Sequence, residues 1–400
     1  MPDVGVVMPV YIQRADYLAA AVQSIRNQTY EQYRLVIVID GAPDMERLCR
    51  ELAGDDPRVE FIVNESNLGV AKTLNRGFKP LLEDPDIRYV TWASSDNFYA
   101  PDFIRVLRHA LVKGPDSLGL VYSSYRSIDG RGEVAHTEQE FACQRLFQGQ
   151  PKEALLQGNT IGASFMYKAC YARQLDGYRM EPVEDYDYWL RLTELCETRF
   201  IPVDLADYRS LSDHSISSTL RSAEKRRGWR YAFHLARHEA RTRRGIPAQV
   251  AFLFVLTEAS EAPANRLEKV YDQQYSNYRV YALDHTEDFR YGKELAEIKH
   301  PTFEARWFPH VPVKAALLAT LRHIRSPYTM LLGPETFVST LDLSVLVQQM
   351  DRADAVAVAS YYTADRLVSY RQTYDDSRPH AHELFRTDAF VRLLGKWDEE

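Results

Sequence analysis

The residues best suited to chemistry in this 400-residue chain are acids placed where apolar runs stop. The stretch Tyr89-Val-Thr-Trp-Ala-Ser-Ser-Asp-Asn97 is β-rich and breaks off at Asp96 and Asn97, ahead of an aromatic pair and Pro101. A second such run, Arg34-Leu-Val-Ile-Val-Ile-Asp40, also closes on a carboxylate. Further on, Glu184, Asp185 and Asp187 open a segment that continues with Trp189, Leu190 and Leu192, and His214 sits in a polar stretch from Asp207 to Ser217. A carboxylate at a strand end can grip a hard cation or a ligand, and one at a helix start can serve as a general base. Each also has a plainer role, as turn former, partner of the helix dipole or surface imidazole. Taken singly, the plainer role is the commoner one; the combination is what points to chemistry.

The elements that must position these groups follow from periodicity. Val4-Gly-Val-Val-Met-Pro-Val10 is a short apolar run ended by a polar loop, the pattern of a buried parallel strand. Leu18, Val22 and Ile25 are spaced for one face of a helix over residues 15 to 27. Strands are expected at Arg34–Asp40 and Val59–Val63, then a turn Asn64-Glu-Ser-Asn-Leu-Gly69, a helix from Val70 to Leu82, and a strand that ends at Ser94. This alternation predicts βαβ units and a parallel sheet. Asp40 and Asp96 then share one sheet edge, because ligands collect at the carboxyl ends of such strands. Asp207 to Ser217 reads as a polar loop.

Bulk composition narrows the classes. A net charge of −7 argues against a general nucleic-acid binder, so no nucleic-acid partner is expected. Four scattered cysteines with no CxxC pair indicate neither a zinc site nor a disulfide framework. The opening Met1-Pro-Asp-Val-Gly leads straight into a strand-like run, and no apolar stretch approaches ~18 residues, so a reduced, cytoplasmic, soluble protein is expected. Residues 221 to 244 hold nine Arg/Lys against two Glu. That block reads as a solvated helix linking two domains, or as a face for peripheral contact with an anionic membrane surface.

Five motifs in this order resemble a family 2 glycosyltransferase with the GT-A nucleotide-sugar fold, over about residues 3 to 220. They are Val6-Val-Met-Pro-Val-Tyr11, then Ser24-Ile-Arg-Asn-Gln-Thr-Tyr30 with Val38-Ile-Asp-Gly41, Asn67 to Gly77, Ser94-Ser-Asp-Asn97, and Glu184-Asp-Tyr-Asp187 followed by His214-Ser-Ile-Ser217. The resemblance implies that Pro9, Val10 and Tyr11 line a base pocket and that Asp40 hydrogen-bonds the base, commonly uracil. Asn67, Gly69, Asn75 and Ser95 would complete the donor side. Asp96, with His214, would hold Mn²⁺ or Mg²⁺ against the diphosphate. Asp185, beside Glu184, would take the acceptor's proton in an inverting displacement. The implied partners are a UDP-type nucleotide-sugar donor and a glycan, glycolipid or glycoprotein acceptor.

Two positions depart from the family's pattern. Ser94 and Ser95 stand where further acids often occur, and Ile39 replaces the first acid of the pair ending at Asp40. The thinned metal motif keeps a non-catalytic sugar-nucleotide-binding module open as an alternative.

The second half repeats the first. Shifted by 245 positions, Gln28, Tyr30, Tyr33 and Arg34 fall on Gln273, Tyr275, Tyr278 and Arg279, and Val250–Leu256 lands on the first strand. Tyr328 to Thr336 matches Tyr89 to Asn97 in layout, with Glu335 in the place of Asp96 and Gly333 and Pro334 in the place of the serines. Around Pro301 no counterpart of Asn67 to Gly77 is recognisable, and the counterpart of Asp185 would fall beyond Glu400. The expected organisation is a catalytic domain over 1–220, a basic helical linker over 221–247, and a degenerate GT-A-like α/β domain over 248–400. That last domain would serve scaffold, homodimer or acceptor-binding roles. A longer two-site polysaccharide polymerase is the rival reading; a nucleotidyltransferase is disfavoured because no Gly-rich triphosphate loop follows the first strand.

Overall fold

The computed structural model describes residues 1–210, 222–334, 337–360, 368–373 and 379–397, so His214 and Glu335 lie outside the described residues. The chain divides into two units, Met1–Ala236 and Arg237–Glu400.

In the first unit, strands and helices alternate as β1 (Val4–Val10), α1 (Ala15–Arg26), β2 (Tyr33–Asp40), α2 (Pro43–Ala53), β3 (Val59–Asn64), α3 (Val70–Glu83) and β4 (Tyr89–Trp92). Then follow β5 (Phe98–Tyr99), α4 (Phe103–Lys113), β6 (Leu118–Ile128), α5 (Glu138–Gln148), β7 (Phe165–Lys168), α6 (Ala169–Ala172), α7 (Glu184–Leu192), β8 (Glu197–Arg209) and α8 (Ala223–Arg243). The sheet order is β3-β2-β1-β4-β7-β6-β8-β5. Only part of this sheet is parallel. β1 pairs in parallel with β2 and β4, and β2 with β3, whereas β7 runs antiparallel to both β4 and β6. β1, β2 and β4 are buried on both faces, which is why they read as continuous apolar runs, while edge strand β3 exposes Glu60 and Val63.

Two boundaries differ from the sequence pattern. β4 stops at Trp92 rather than Ser94. Asp207, Tyr208 and Arg209 are not loop but the end of β8, paired to β6, with Asp207 also opposite Phe98 of β5. The polar look of that segment misleads because Asp207 is satisfied by a bidentate pair with Arg126 on the neighbouring strand.

The second unit repeats this plan. β9 (Val250–Leu256), α9 (Pro263–Tyr271), β10 (Tyr278–Asp284), α10 (Arg290–Ala296), β11 (Phe303–Trp307), α11 (Val313–Leu321) and β12 (Tyr328–Leu331) follow the order of the first seven elements of the first unit. α12 (Asp342–Arg352), β13 (Ala357–Ser360), β14 (Val368–Arg371), β15 (Glu383–Arg386) and α13 (Thr387–Lys396) complete it, with sheet order β11-β10-β9-β12-β15-β13-β14. Atomic detail repeats as well. Gln28 donates to the Ala100 carbonyl and accepts from the Ile104 N–H; Gln273 donates to the Ser339 carbonyl and accepts from the Leu343 N–H. Tyr33 donates to the Ile25 carbonyl as Tyr278 does to that of Val270. Arg34 pairs with Glu60, and Arg279 with Glu304. These shared residues therefore hold the scaffold together and carry no chemistry. α11 stands where α3 stands in chain order, so the element is present even though its VKAALLATL sequence keeps none of the Asn75 side chemistry.

The basic block 221–247 divides between the units, since the boundary after Ala236 falls inside α8. Its described residues 222–228 are exposed, as are Leu235, Thr242 and Arg243 further on, whereas His234, Arg237 and Arg241 are buried, so the helix is solvated at its first turns and on one face beyond them. Among the described residues, no helix is long and apolar enough to cross a membrane.

Candidate functional site

β1 sits where the chain reverses its progress across the first sheet, with β2 and β3 on one side and β4 on the other. Crevices open at such a switch point, outside the carboxyl ends of the strands. A cavity of about 660 Å³ lies there, lined by Pro9, Val10 and Tyr11 after β1, Asp40 after β2, Asn67 and Gly69 before α3, and Ser94 to Asn97 after β4. Glu184 and Asp185 line the same cavity. Asp96 and Asp185, 89 positions apart in sequence, thus share one pocket. Asn75 does not line it: its amide donates to the Tyr178 carbonyl and accepts from the Tyr178 N–H, so the side chain clasps α3 to the segment that leads into α7. Gly177, at φ +86°, leaves the space that this clasp needs.

Asp40 is buried, and its carboxylate is already engaged. Oδ1 accepts from Asn64 Nδ2 at 2.7 Å and the Leu68 N–H at 2.9 Å, and Oδ2 from the Gly69 N–H at 3.2 Å. It moulds the 64–69 loop, which crosses so closely over Gly41 that a side chain there would strike the Ser66 and Asn67 backbone. Of the roughly four acceptor positions on a carboxylate, about one remains for a ligand.

The turn bearing Asp96 is pinned from three sides. The Ser94 N–H donates to the hydroxyl of fully buried Tyr99, Ser94 Oγ donates to Asp96 Oδ1 at 2.6 Å, and Arg209 Nε donates to the Asp96 carbonyl at 3.0 Å. Burial pushes the Asp96 carboxyl above the usual range; the Ser94 hydrogen bond and the Arg209 charge oppose that shift without cancelling it.

Asp185 lies in the first turn of α7. The helix is anchored by Trp189, whose ring meets Phe165 at 4.5 Å between centroids, and by an ion pair of Arg191 with Asp187 at 2.7 Å. Asp187 is fully buried in that pair and is structural. Asp185, partly exposed to the cavity, accepts from the Asn159 amide at 3.2 Å and from the Tyr186 N–H at 2.6 Å. Burial raises its pKa despite both donors. Glu184 is raised to about 8, first by burial and then by the neighbouring Asp185 charge, and its Oε2 is buried with no hydrogen-bond partner. Two adjacent carboxyls in this setting titrate as a pair, with one proton held near neutrality.

Sequence reasoning missed Arg209, Asn159, Glu181, Tyr125, Tyr208, Trp229 and Phe233, all of which line the cavity. Glu181 accepts from the Ala71 N–H at 2.8 Å, placing a carboxylate at the amino end of α3. No residue spacing announces these side chains; strand pairing and helix docking bring them in.

The lining holds, among the described residues, Asp40, Asp96, Glu181, Glu184 and Asp185 against Arg209 alone as a cation. Among the described residues no cluster of three His, Cys, Asp or Glu could by itself hold a metal. What is present fits a magnesium-type ion, which binds through one or two carboxylates and completes its shell with substrate phosphate and water. Asp96, raised by burial and facing the cavity, is a carboxylate that such a cation would relieve.

These features define an α/β protein with a cavity at the sheet's carboxyl edge. Residues 5–175 match the family model described as Glycosyl transferase family 2. An uncharacterized glycosyltransferase of Rickettsia felis is 25% identical over 202 residues, covering 50% of this chain and 33% of the relative. Glycosyltransferase GlyA of Streptococcus pneumoniae is 32% identical over 129 residues, covering 32% of this chain and 18% of the relative. The chain spans about a third of the length of the first curated relatives it matches. The crystal structure of S. aureus TarS 1-349 in complex with UDP-GlcNAc aligns with a TM-score of 0.48 at 13% identity, covering 80% of this chain and 81% of that one.

Proposed function

We propose that the first unit transfers a sugar from a nucleoside-diphosphate donor to a hydroxyl acceptor with inversion, in polysaccharide or glycoconjugate synthesis. The observation that carries this reading is the common cavity of Asp96 and Asp185, one at a strand end and one at a helix start. Asp185 takes the acceptor's hydroxyl proton while that oxygen bonds to the anomeric carbon. On the opposite face the bond from that carbon to the diphosphate breaks, and its electron pair leaves with the phosphate oxygen. A positioned base of this kind is worth about 10²–10⁴-fold.

Asp185 is suited to this work because its raised pKa makes it a stronger base than an ordinary aspartate, while Asn159 keeps it oriented. A protonated Glu184 next to it spares the site a second negative charge. Pro9, Val10, Tyr11 and the loop held by Asp40 form the donor end, and Arg209 places a fixed cation on the same lining. Asp96 would hold Mn²⁺ or Mg²⁺ there, and such an ion supplies charge neutralisation of the leaving diphosphate.

The second unit serves as scaffold under this reading. Its strand-end carboxylate, Asp284, is fully buried and spends its oxygens on Thr286 and the Gly292 N–H. Incubation of the protein with a panel of nucleotide sugars and Mn²⁺ tests the proposal through release of free nucleoside diphosphate. Nucleotide binding without turnover of any sugar, with or without added acceptors, would favour the binding-module alternative suggested by the sparse acid set around Asp96.

A further inference from the structure

The cavity has two chemically different ends. Around Pro9, Asp40 and Gly69 the walls are backbone, loop and carboxylate, with Tyr11 as the aromatic that follows β1. Around Asp185 they are aromatic. Tyr186, the residue after the base, meets Phe233 of α8 at 4.7 Å between centroids, and Phe233 meets Trp229 edge-on at 4.3 Å. Tyr125 and Tyr208 pack edge-on at 5.8 Å, and the Asp185 charge reaches Tyr125. Trp229 and Phe233 both line the cavity and are only partly buried, although α8 carries polar and basic residues over most of its length. Two of the helix's large apolar side chains, Trp229 and Phe233, thus stand on this wall without being closed fully into the core.

We infer that Trp229 and Phe233 form the acceptor subsite, and that the acceptor is presented there as a pyranose ring stacked by its C–H face. This inference rests on the glycosyltransferase reading and adds the substrate class of the acceptor end. The face of an aromatic ring is electron-rich and attracts the weakly positive axial hydrogens of a sugar, while the sugar's equatorial hydroxyls remain free for polar partners. Tyr186 joins this aromatic wall to Asp185, so a ring lying on it holds its hydroxyls toward the base. Asn159 and the phenols of Tyr125 and Tyr208 supply hydrogen-bonding groups on the same lining. A simple aliphatic alcohol would use the apolar surface but none of those groups.

The test uses the full chain labelled with 5-fluorotryptophan, in which the Trp229 resonance is assigned by its loss in Trp229→Phe. Methyl pyranosides of glucose, galactose, mannose and N-acetylglucosamine are titrated in the presence of UDP and Mn²⁺. At least one should move the Trp229 resonance saturably. Trp229→Ala should then weaken that pyranoside about tenfold, on the scale of one aromatic contact, while Trp229→Tyr keeps most of the affinity. UDP affinity, measured by calorimetry, should change less than about twofold in both variants, which also shows that they are folded. UDP binding with no pyranoside response at Trp229, or an equal response to a linear alcohol, overturns the acceptor assignment. Equal pyranoside affinity in Trp229→Ala overturns it as well. Failure of the wild type to bind UDP or any other nucleoside diphosphate would instead remove the transferase reading beneath it.

Discussion

The Asn159 amide donates to Asp185 Oδ2 over 3.2 Å, while Asn159 Oδ1 accepts from the Ile161 N–H, so the Asp185 carboxylate is aimed by a residue that is itself tied to backbone. Asp185→Asn should abolish transfer, by at least about 10²-fold, and leave nucleotide binding nearly unchanged. Single-turnover assays beside calorimetry separate the two, and equal loss of both would assign Asp185 a structural role.

Asn159→Ala removes a donor that favours the charged form of Asp185. The pKa of the base should rise further, so the acid limb of the pH–rate profile moves to higher pH while the alkaline plateau is largely kept. A uniform fall at every pH would mean that Asn159 acts only on packing.

Glu184 should make stability depend on pH. Its folded pKa of about 8 lies above the unfolded value, so the folded state binds the extra proton between the two. Its stabilising contribution is complete below the unfolded carboxyl pKa and declines as pH rises toward about 8. Melting temperatures from pH 5 to pH 9 should fall more steeply for the wild type than for Glu184→Gln, which has no proton to lose. Parallel curves would contradict the assignment.

Asp96→Asn should weaken nucleotide binding in Mn²⁺ by about 10- to 100-fold and leave the weaker metal-free binding much as it was. Ser94→Ala should show a smaller loss in the same direction, because Ser94 only orients the carboxylate. Identical affinities with and without metal in the wild type would remove the ligand role from Asp96.

Asp40→Ala should act on stability as well as on binding. Removing three accepted hydrogen bonds leaves the buried Asn64 amide with only its 3.4 Å bond to the Thr73 hydroxyl and frees the loop over Gly41, at a cost of about 2–4 kcal/mol. Chemical denaturation measures that loss, and a variant as stable as wild type with reduced nucleotide affinity would make Asp40 a ligand contact alone.

Much of the first unit was legible because its central strands β1 and β2 are buried on both faces and its helices on one, which leaves strong patterns in the sequence. β1, β2 and β3 fall where the apolar runs lie, and α3 begins after Gly69 as the turn residues suggest. The internal repeat was equally legible, since Gln28 and Gln273 do the same buried hydrogen-bonding work and such positions tolerate little change. The mixed half of the sheet, where β7 runs antiparallel to β4 and β6 while β8 runs parallel to β6, was not legible. Strand direction leaves no mark on a single run, and Asp207 to Arg209 looked like loop because their polarity is answered only by a strand from elsewhere.

By itself the sequence determined which residues are acids at the ends of apolar runs, and therefore that Asp40, Asp96 and Asp185 were candidates at all. Only the tertiary structure divided their labour. Asp40 is largely consumed by its own loop, Asp96 is buried in a pinned turn, Asp187 is neutralised by Arg191, and Asp185 is left partly open to the cavity. The reason is physical: a carboxylate's task depends on which donors and charges surround it. Those partners, Asn159, Arg209 and Trp229 among them, come from strands and helices distant along the chain, whose approach no local spacing records.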